Sequence, residues 1–212
     1  MNEFSAGQMV RFGWETFKKR PWFFISVNLF LLVISGISSQ IATTATTSGW
    51  NLASTSFFLV DFLVVQVFVF MGTTAFFLKA HDNAEGATLG NAWAPQEYWK
   101  FLGAYLLTMI IIVSGFVLLI IPGIILSMVL YFTLFLVIDR GLGPLQVLSE
   151  SARITKGHRW QLFLFSLVLV LVNILGLLAI FVGLLVSIPV SWLAIVHAYR
   201  TLSKSAGIVP TA

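Results

Sequence analysis

Asp61 sits inside the apolar run SFFLVDFLVVQVFVF, and no Lys or Arg lies within any apolar run to pair with it. A carboxylate in hydrocarbon is costly, and one retained there commonly marks an ion or proton path. Asn28, Gln66 and Asn173 are the amides able to share a hydrogen bond with it, and the four together form the candidate intramembrane polar site. The competing reading puts Asp61 near the outer headgroups, solvated or bonded by a Thr-rich loop. A second polar group, His81, Asp82, Asn83 and Glu85, matches neither an EF-hand loop nor an H-E-x-x-H pair, so it reads as a solvated loop and no metal or cofactor is expected. His197, beside Tyr199 and Arg200, reads as an interfacial side chain whose polar tip reaches water.

Catalytic patterns are absent from the sequence. It has no cysteine, no G-x-S-x-G elbow, no phosphate-binding P-loop and no complete G-x-G-x-x-G. Gly141-Leu142-Gly143-Pro144 departs from the last of these because Pro144 starts a helix instead. Three scattered His supply no nucleophile–base pair, so no enzyme activity is expected.

The elements that carry these residues are set by composition. Hydrophobic residues make up 58% of the chain and charged residues 9%, where a soluble domain needs about a quarter to cover its surface. With a mean hydropathy of +0.97, the solvent for most of the chain is lipid. The net charge of +4 carries no basic face interleaved with stacking aromatics, which argues against nucleic acid. Membrane lipids, a second copy of the chain or another membrane protein are the expected partners.

Along the chain, residues 5–20 read as an amphipathic interfacial helix. Ala6, Met9, Val10, Gly13, Trp14 and Phe17 make its apolar side, and Gln8, Arg11, Glu15, Lys18 and Lys19 its polar side. Spans follow at about 22–41, 56–78, 101–119, 122–138, 160–181 and 183–199, within a single membrane domain over 1–212. The run after Arg20 is too long for a signal h-region, so the first span reads as retained. Phe101 to Ile138 carries no charge, and one helix over it would be about 57 Å long, nearly twice the hydrocarbon core. It therefore folds as a hairpin with its apex between Gly115 and Pro122. A second interfacial helix is expected over 144–156, with Leu145, Leu148 and Ala152 on one stripe and Glu150 paired to Arg153.

The expected fold is thus all-α, with six transmembrane helices in three hairpin-like pairs and cytoplasmic amphipathic helices between them. Trp22, Trp99 and Trp160 open the three pairs as a pseudo-repeat, which unrelated hairpins would also imitate. These tryptophans, with Lys18, Lys19, Arg20 and Arg159, are the expected membrane-interface anchors. All twelve basic residues fall on one side of this scheme, so both termini are expected in the cytoplasm.

Pro122-Gly123, Tyr131-Phe132, Asp139-Arg140, Ser149, Ser151, Gly157-His158-Arg159-Trp160, Gly176, Gly183, Pro189 and Tyr199-Arg200 carry a resemblance. The stretch from Phe101 to Leu202 resembles bacterial multi-pass membrane families of unknown function, related to the membrane domain sometimes fused to glycerophosphodiester phosphodiesterases. The resemblance implies a helical bundle in the bacterial cytoplasmic membrane, and it brings no catalytic residue.

The expected function is a non-enzymatic membrane protein that binds lipid or a membrane partner, in envelope maintenance. The alternative is a transporter or exporter of ions, peptides or small molecules with Asp61 in its path. Topology is directly testable in a chain without cysteine. Ser48→Cys should react with an impermeant thiol reagent applied outside, and Ser151→Cys should be shielded. The reverse pattern would invert the scheme.

Overall fold

The computed structural model describes residues 4–46, 52–92, 95–179 and 183–207, and Ser48 lies outside them. Every regular element among these residues is helical. α1 (Ala6–Lys19) ends where Arg20 leaves helical geometry ahead of Pro21, whose ring opens α2 (Pro21–Thr46) at the position that needs no N–H. α3 (Leu52–Val60) continues through a π-helical segment (Asp61–Gln66) into α4 (Val67–Asp82). α5 (Tyr98–Leu118) and α6 (Ile120–Val129) form a hairpin, followed by α7 (Thr133–Arg140) and α8 (Pro144–Thr155). α9 (Arg159–Leu178) and α10 (Leu184–Ser205) complete the chain.

Six stretches are long and apolar enough to cross a membrane: Pro21–Ser38, Phe58–Asp82, Tyr98–Leu118, Ile120–Arg140, Arg159–Leu178 and Leu184–Ser205. The helices outrun the expected spans. α2 reaches Thr46 and α3 starts at Leu52, so much of the expected Thr/Ser loop is helical.

Two spans are not continuous α-helices. The second contains the π segment, and the fourth breaks between Val129 and Thr133. Backbone polar groups freed by such a break cost several kcal/mol each in lipid unless something bonds them. α8 supplies the bonds. Ser151 Oγ donates to the Val129 carbonyl at 2.9 Å and accepts from the Phe132 N–H at 3.2 Å. Thr155 Oγ1 lies 3.3 Å from the same carbonyl. This docking rotates α8 away from its expected stripe: Val147, Ser151, Ile154 and Thr155 are buried, while Leu145 is exposed. Ser151 is therefore a poor accessibility reporter, and exposed Lys156 on the same connection takes its place.

The α5–α6 turn falls at Leu119, inside the expected interval. Leu119 alone is extended, with its N–H on the Gly115 carbonyl at 3.0 Å and its carbonyl on the Gly123 N–H at 3.3 Å. The turn closes without a polar side chain, and Leu118 to Ile121 are exposed.

α10 is the hub. It buries 56% of its span against other helices, whereas the other five bury 17% to 39%. α9 lies along one side, with so close an approach that a Cβ on Gly183 would come 2.5 Å from the Gly176 carbonyl. α2 and α4 pack on another side, where Phe77 stacks on Trp192 with ring centroids 5.6 Å apart. The hairpins are thus joined into one bundle rather than standing as separate pairs. α5 meets the second span through Tyr105, whose ring lies 6.1 Å from Phe62 and 6.3 Å from Phe70.

α1 makes the most extensive contact with α10 of all the helix pairs. Met9, Gly13, Thr16 and Phe17 are buried, and Gln8, Arg11, Glu15, Lys18 and Lys19 are exposed as the sequence pattern predicts. Trp14 instead lies on the exposed side. The apolar stripe is spent on protein: a Cβ on Gly13 would lie 2.5 Å from the Val190 carbonyl and 3.1 Å from the Ala194 nitrogen. Gly13→Val should therefore force α1 off α10 and lower stability by about 1–3 kcal/mol. Thermal unfolding in detergent measures this, with exposed Gly7→Ala unchanged as the control.

Candidate functional site

Charges inside a bundle must be paired, and the main pairing here was not foreseen in the sequence. Arg200, in the last two turns of α10, has a side chain only 7% exposed. Its Nη1 donates to Asp139 Oδ1 and its Nη2 to Asp82 Oδ2, both at 2.7 Å. Asp139 is itself buried (4%) and takes a second hydrogen bond, from the Tyr199 hydroxyl at 2.7 Å. One guanidinium thus clamps the ends of α4, α7 and α10. It ends α10 as a buried clamp and not as a headgroup-facing charge.

The network continues through two imidazoles. His81 Nδ1 lies 3.1 Å from Asp82 Oδ1, and its Nε2 lies 3.1 Å from His197 Nδ1. With Nδ1–H given to the carboxylate, the neutral ring presents Nε2 as an acceptor for the His197 Nδ1–H. Phe12 of α1 stacks on His197 with centroids 3.8 Å apart. His197 is therefore half-buried in the interface between α1, α4 and α10, where a water-reaching side chain was expected.

The 83–87 loop is likewise structural. Asn83 Oδ1 accepts from the Gly86 N–H at 2.9 Å. Arg20, expected as a headgroup anchor, donates Nη1 to the Glu85 carbonyl at 2.7 Å and approaches the Ala84 and Ala87 carbonyls. Its guanidinium also lies 4.1 Å from the Phe23 ring. Among the described residues no group of three or more His, Asp or Glu is placed to hold a metal ion.

The four residues of the expected polar site are only partly brought together. Asp61 is buried (8% exposed) and accepts from Ser38 Oγ. Ser35 Oγ donates to Gln66 Oε1 at 2.7 Å. Five residues are about 140° out of phase on an α-helix, whereas the wider π turn returns to the same side after five. The π segment is what turns both side chains toward α2. Ser38 lies about 26 Å along α2 from Pro21, close to the length of a hydrocarbon core, so Asp61 sits toward the far end of its span. Among the described residues, serines of α2 are the partners, and the centre of the Thr-rich connection lies outside those residues.

Asn28 is buried on α2 about 10 Å from Ser35, and its Nδ2 finds no partner among the described residues. Asn173 joins a different node. Its Nδ2 donates to Ser191 Oγ and its Oδ1 accepts from Ser187 Oγ, both at 2.9 Å, which staples α9 to α10.

The anchor tryptophans are well exposed: Trp22 at 81%, Trp99 at 78% and Trp160 at 68%. The exposed Lys18 ammonium lies 5.8 Å from the Trp14 ring. The exposed Glu150–Arg153 pair forms as its spacing predicts, at 2.9 Å. On α1, the hydrogen bond from Arg11 at 2.8 Å holds the Glu15 carboxyl below its ordinary range.

No family model matches the chain, and no solved structure matches it. It is similar to the uncharacterized protein Rv2560 of Mycobacterium tuberculosis, with 27% identity over 224 residues, covering 94% of this chain and 69% of that relative. The uncharacterized protein Mb2590 of Mycobacterium bovis is 27% identical over 228 residues, with the same coverage. Neither description names an activity.

Removing one partner of a buried ion pair strands the other charge, at a cost of about 3–5 kcal/mol. Arg200→Gln and Asp139→Asn should each lower thermal stability in detergent sharply, and Asp82→Asn less, because Asp82 is 44% exposed. Equal effects at all three positions would mean that the clamp is not organised around the buried pair.

Proposed function

We propose that this chain is a non-enzymatic integral membrane protein of the bacterial cytoplasmic membrane that binds lipid or a membrane partner and serves envelope maintenance. The observation that carries the proposal is how the polar groups of the bundle are used. Arg200, Asp82, Asp139, Tyr199, His81 and His197 bond to one another, and Asn173 staples two helices. Such groups hold a scaffold together and leave its lateral surface, apolar and open, for binding. The proposal includes cytoplasmic termini, supported by the one-sided distribution of Lys and Arg. It also includes kinship with the membrane domains fused to phosphodiesterases, without their activity. The mycobacterial relatives support a bacterial setting.

Native mass spectrometry of the full chain released from nanodiscs tests this reading. A specific retained lipid, or a second subunit, is the expected result, and a bare monomer would overturn it.

A second reading, transport along Asp61, is favoured by the π segment, since π turns recur at functional sites. On that reading Asp61→Asn abolishes ion-driven flux into liposomes, and unchanged flux removes it.

A further inference from the structure

Two grooves open on the lateral surface, and they meet. One, of about 500 Å³, lies between α6 and α9 and is lined by Ile121, Ile125, Met128, Arg159, Trp160 and Phe163. The other, of about 630 Å³, continues past Met128 along α9, with Tyr131, Ser166, Leu169 and Val170 among its walls. Met128 belongs to both. The walls are apolar over nearly their whole length, and their large side chains face outward: Ile121 is 71% exposed and Ile125 48%.

The chemistry changes at one end. Arg159 is exposed there and makes no ion pair among the described residues, in contrast to Arg11, Arg153 and Arg200, each matched with a carboxylate. Trp160, beside it, turns an exposed indole toward the same mouth and stacks on Phe163 with centroids 5.3 Å apart. An unspent guanidinium at the mouth of an apolar channel matches a ligand with an anionic head and a hydrocarbon tail. The guanidinium fork fits two phosphate oxygens at once, and an indole N–H adds a third donor.

Length supports the same ligand. From Arg159 to Val170 the groove follows α9 for about 16 Å, and one leaflet of hydrocarbon is about 15 Å deep. A phosphate held at Arg159 therefore lays one acyl chain over Phe163 and Met128 and ends it beside Leu169.

We propose that the α6–α9 groove is a specific site for an anionic phospholipid of the surrounding bilayer, with its phosphate on Arg159 and Trp160 and an acyl chain along Phe163 and Met128. The proposal rests on the lipid-binding reading above and names its ligand and its residues. The occupant is a bilayer phospholipid because the site opens sideways into the bilayer, where that lipid is the solvent.

The test uses the full chain in nanodiscs of equimolar phosphatidylcholine and phosphatidylglycerol, doped with a phosphatidylglycerol analogue carrying a photoactivatable acyl chain. Peptide mapping should place cross-links on Met128 and Phe163. Arg159→Gln should lower them about fivefold, the factor expected from one cation against an anionic headgroup. Arg159→Lys should retain most of the signal, Lys79→Gln should leave it unchanged, and Ile125→Trp should block the groove while the protein stays folded. Cross-links spread evenly over the lipid-facing helices, or indifferent to Arg159→Gln, would mean annular lipid only and would overturn the site. Thiol-specific cross-links from an Ile125→Cys variant to a second protein chain would overturn the lipid as occupant. Retention of another lipid or a subunit alongside either result leaves the wider binding reading standing, and a bare monomer removes both.

Discussion

A guanidinium withdrawn from water must be met by carboxylates, and this requirement at Arg200 is the constraint on which the rest of the bundle depends. The effective penalty for burying each ion is several kcal/mol, repaid only when the partners stand in good geometry. Asp139 and Asp82 meet it at 2.7 Å each, and Tyr199 occupies a remaining lone pair of Asp139. For those distances to hold, the ends of α4, α7 and α10 must converge. Beside that convergence His81 meets His197, and Phe12 of α1 stacks on His197.

Helix association in lipid lacks the hydrophobic driving force of water, because a lipid tail is as apolar as a leucine. What remains is close packing and hydrogen bonds, and the structure uses both at identifiable points. Gly13 lets α1 reach the α10 backbone, and Gly176 and Gly183 bring α9 and α10 together. Phe77 on Trp192 and the rings of Phe132 and Phe135 around Tyr199 fill the space between. Where the backbone itself is interrupted, hydroxyls repair it, as Ser151 does at the break after Val129. Several residues that carry the sequence resemblance fall at such points: Ser151, Asp139, Gly176, Gly183, Tyr199 and Arg200 each perform a structural task.

The division of labour that emerges separates the inside from the side. Inside, both Nη groups of Arg200, the carboxylates and hydroxyl that meet them and the Asn173 node are bonded within the bundle, while the buried Arg200 Nε has no partner among the described residues. On the side, between α6 and α9, a cation with no ion pair among the described residues faces an apolar channel. Asp61 and Gln66 stand between these cases, buried and bonded to α2, yet on a π segment that departs from ordinary helix geometry.

The amino-acid sequence by itself determined what is local. Helical class, six apolar stretches, the α5–α6 turn near Gly115–Pro122, the polar face of α1 and the Glu150–Arg153 pair follow from composition and from spacings of three or four residues, which a chain carries wherever it folds. The clamp could not be read in this way, since Asp82 and Asp139 lie 118 and 61 residues from Arg200 and each looks like an ordinary span-terminal charge. Their only signal was position, three charges at the ends of apolar runs. Tertiary structure alone decided that α1 lies on α10, that α8 turns Ser151 inward and that Asn173 pairs with Ser187 and Ser191 instead of Asp61. The physical reason is the same in each case: a buried polar group or a closely approached backbone is satisfied by whatever helix packing brings within about 3 Å, and packing is a property of the whole bundle.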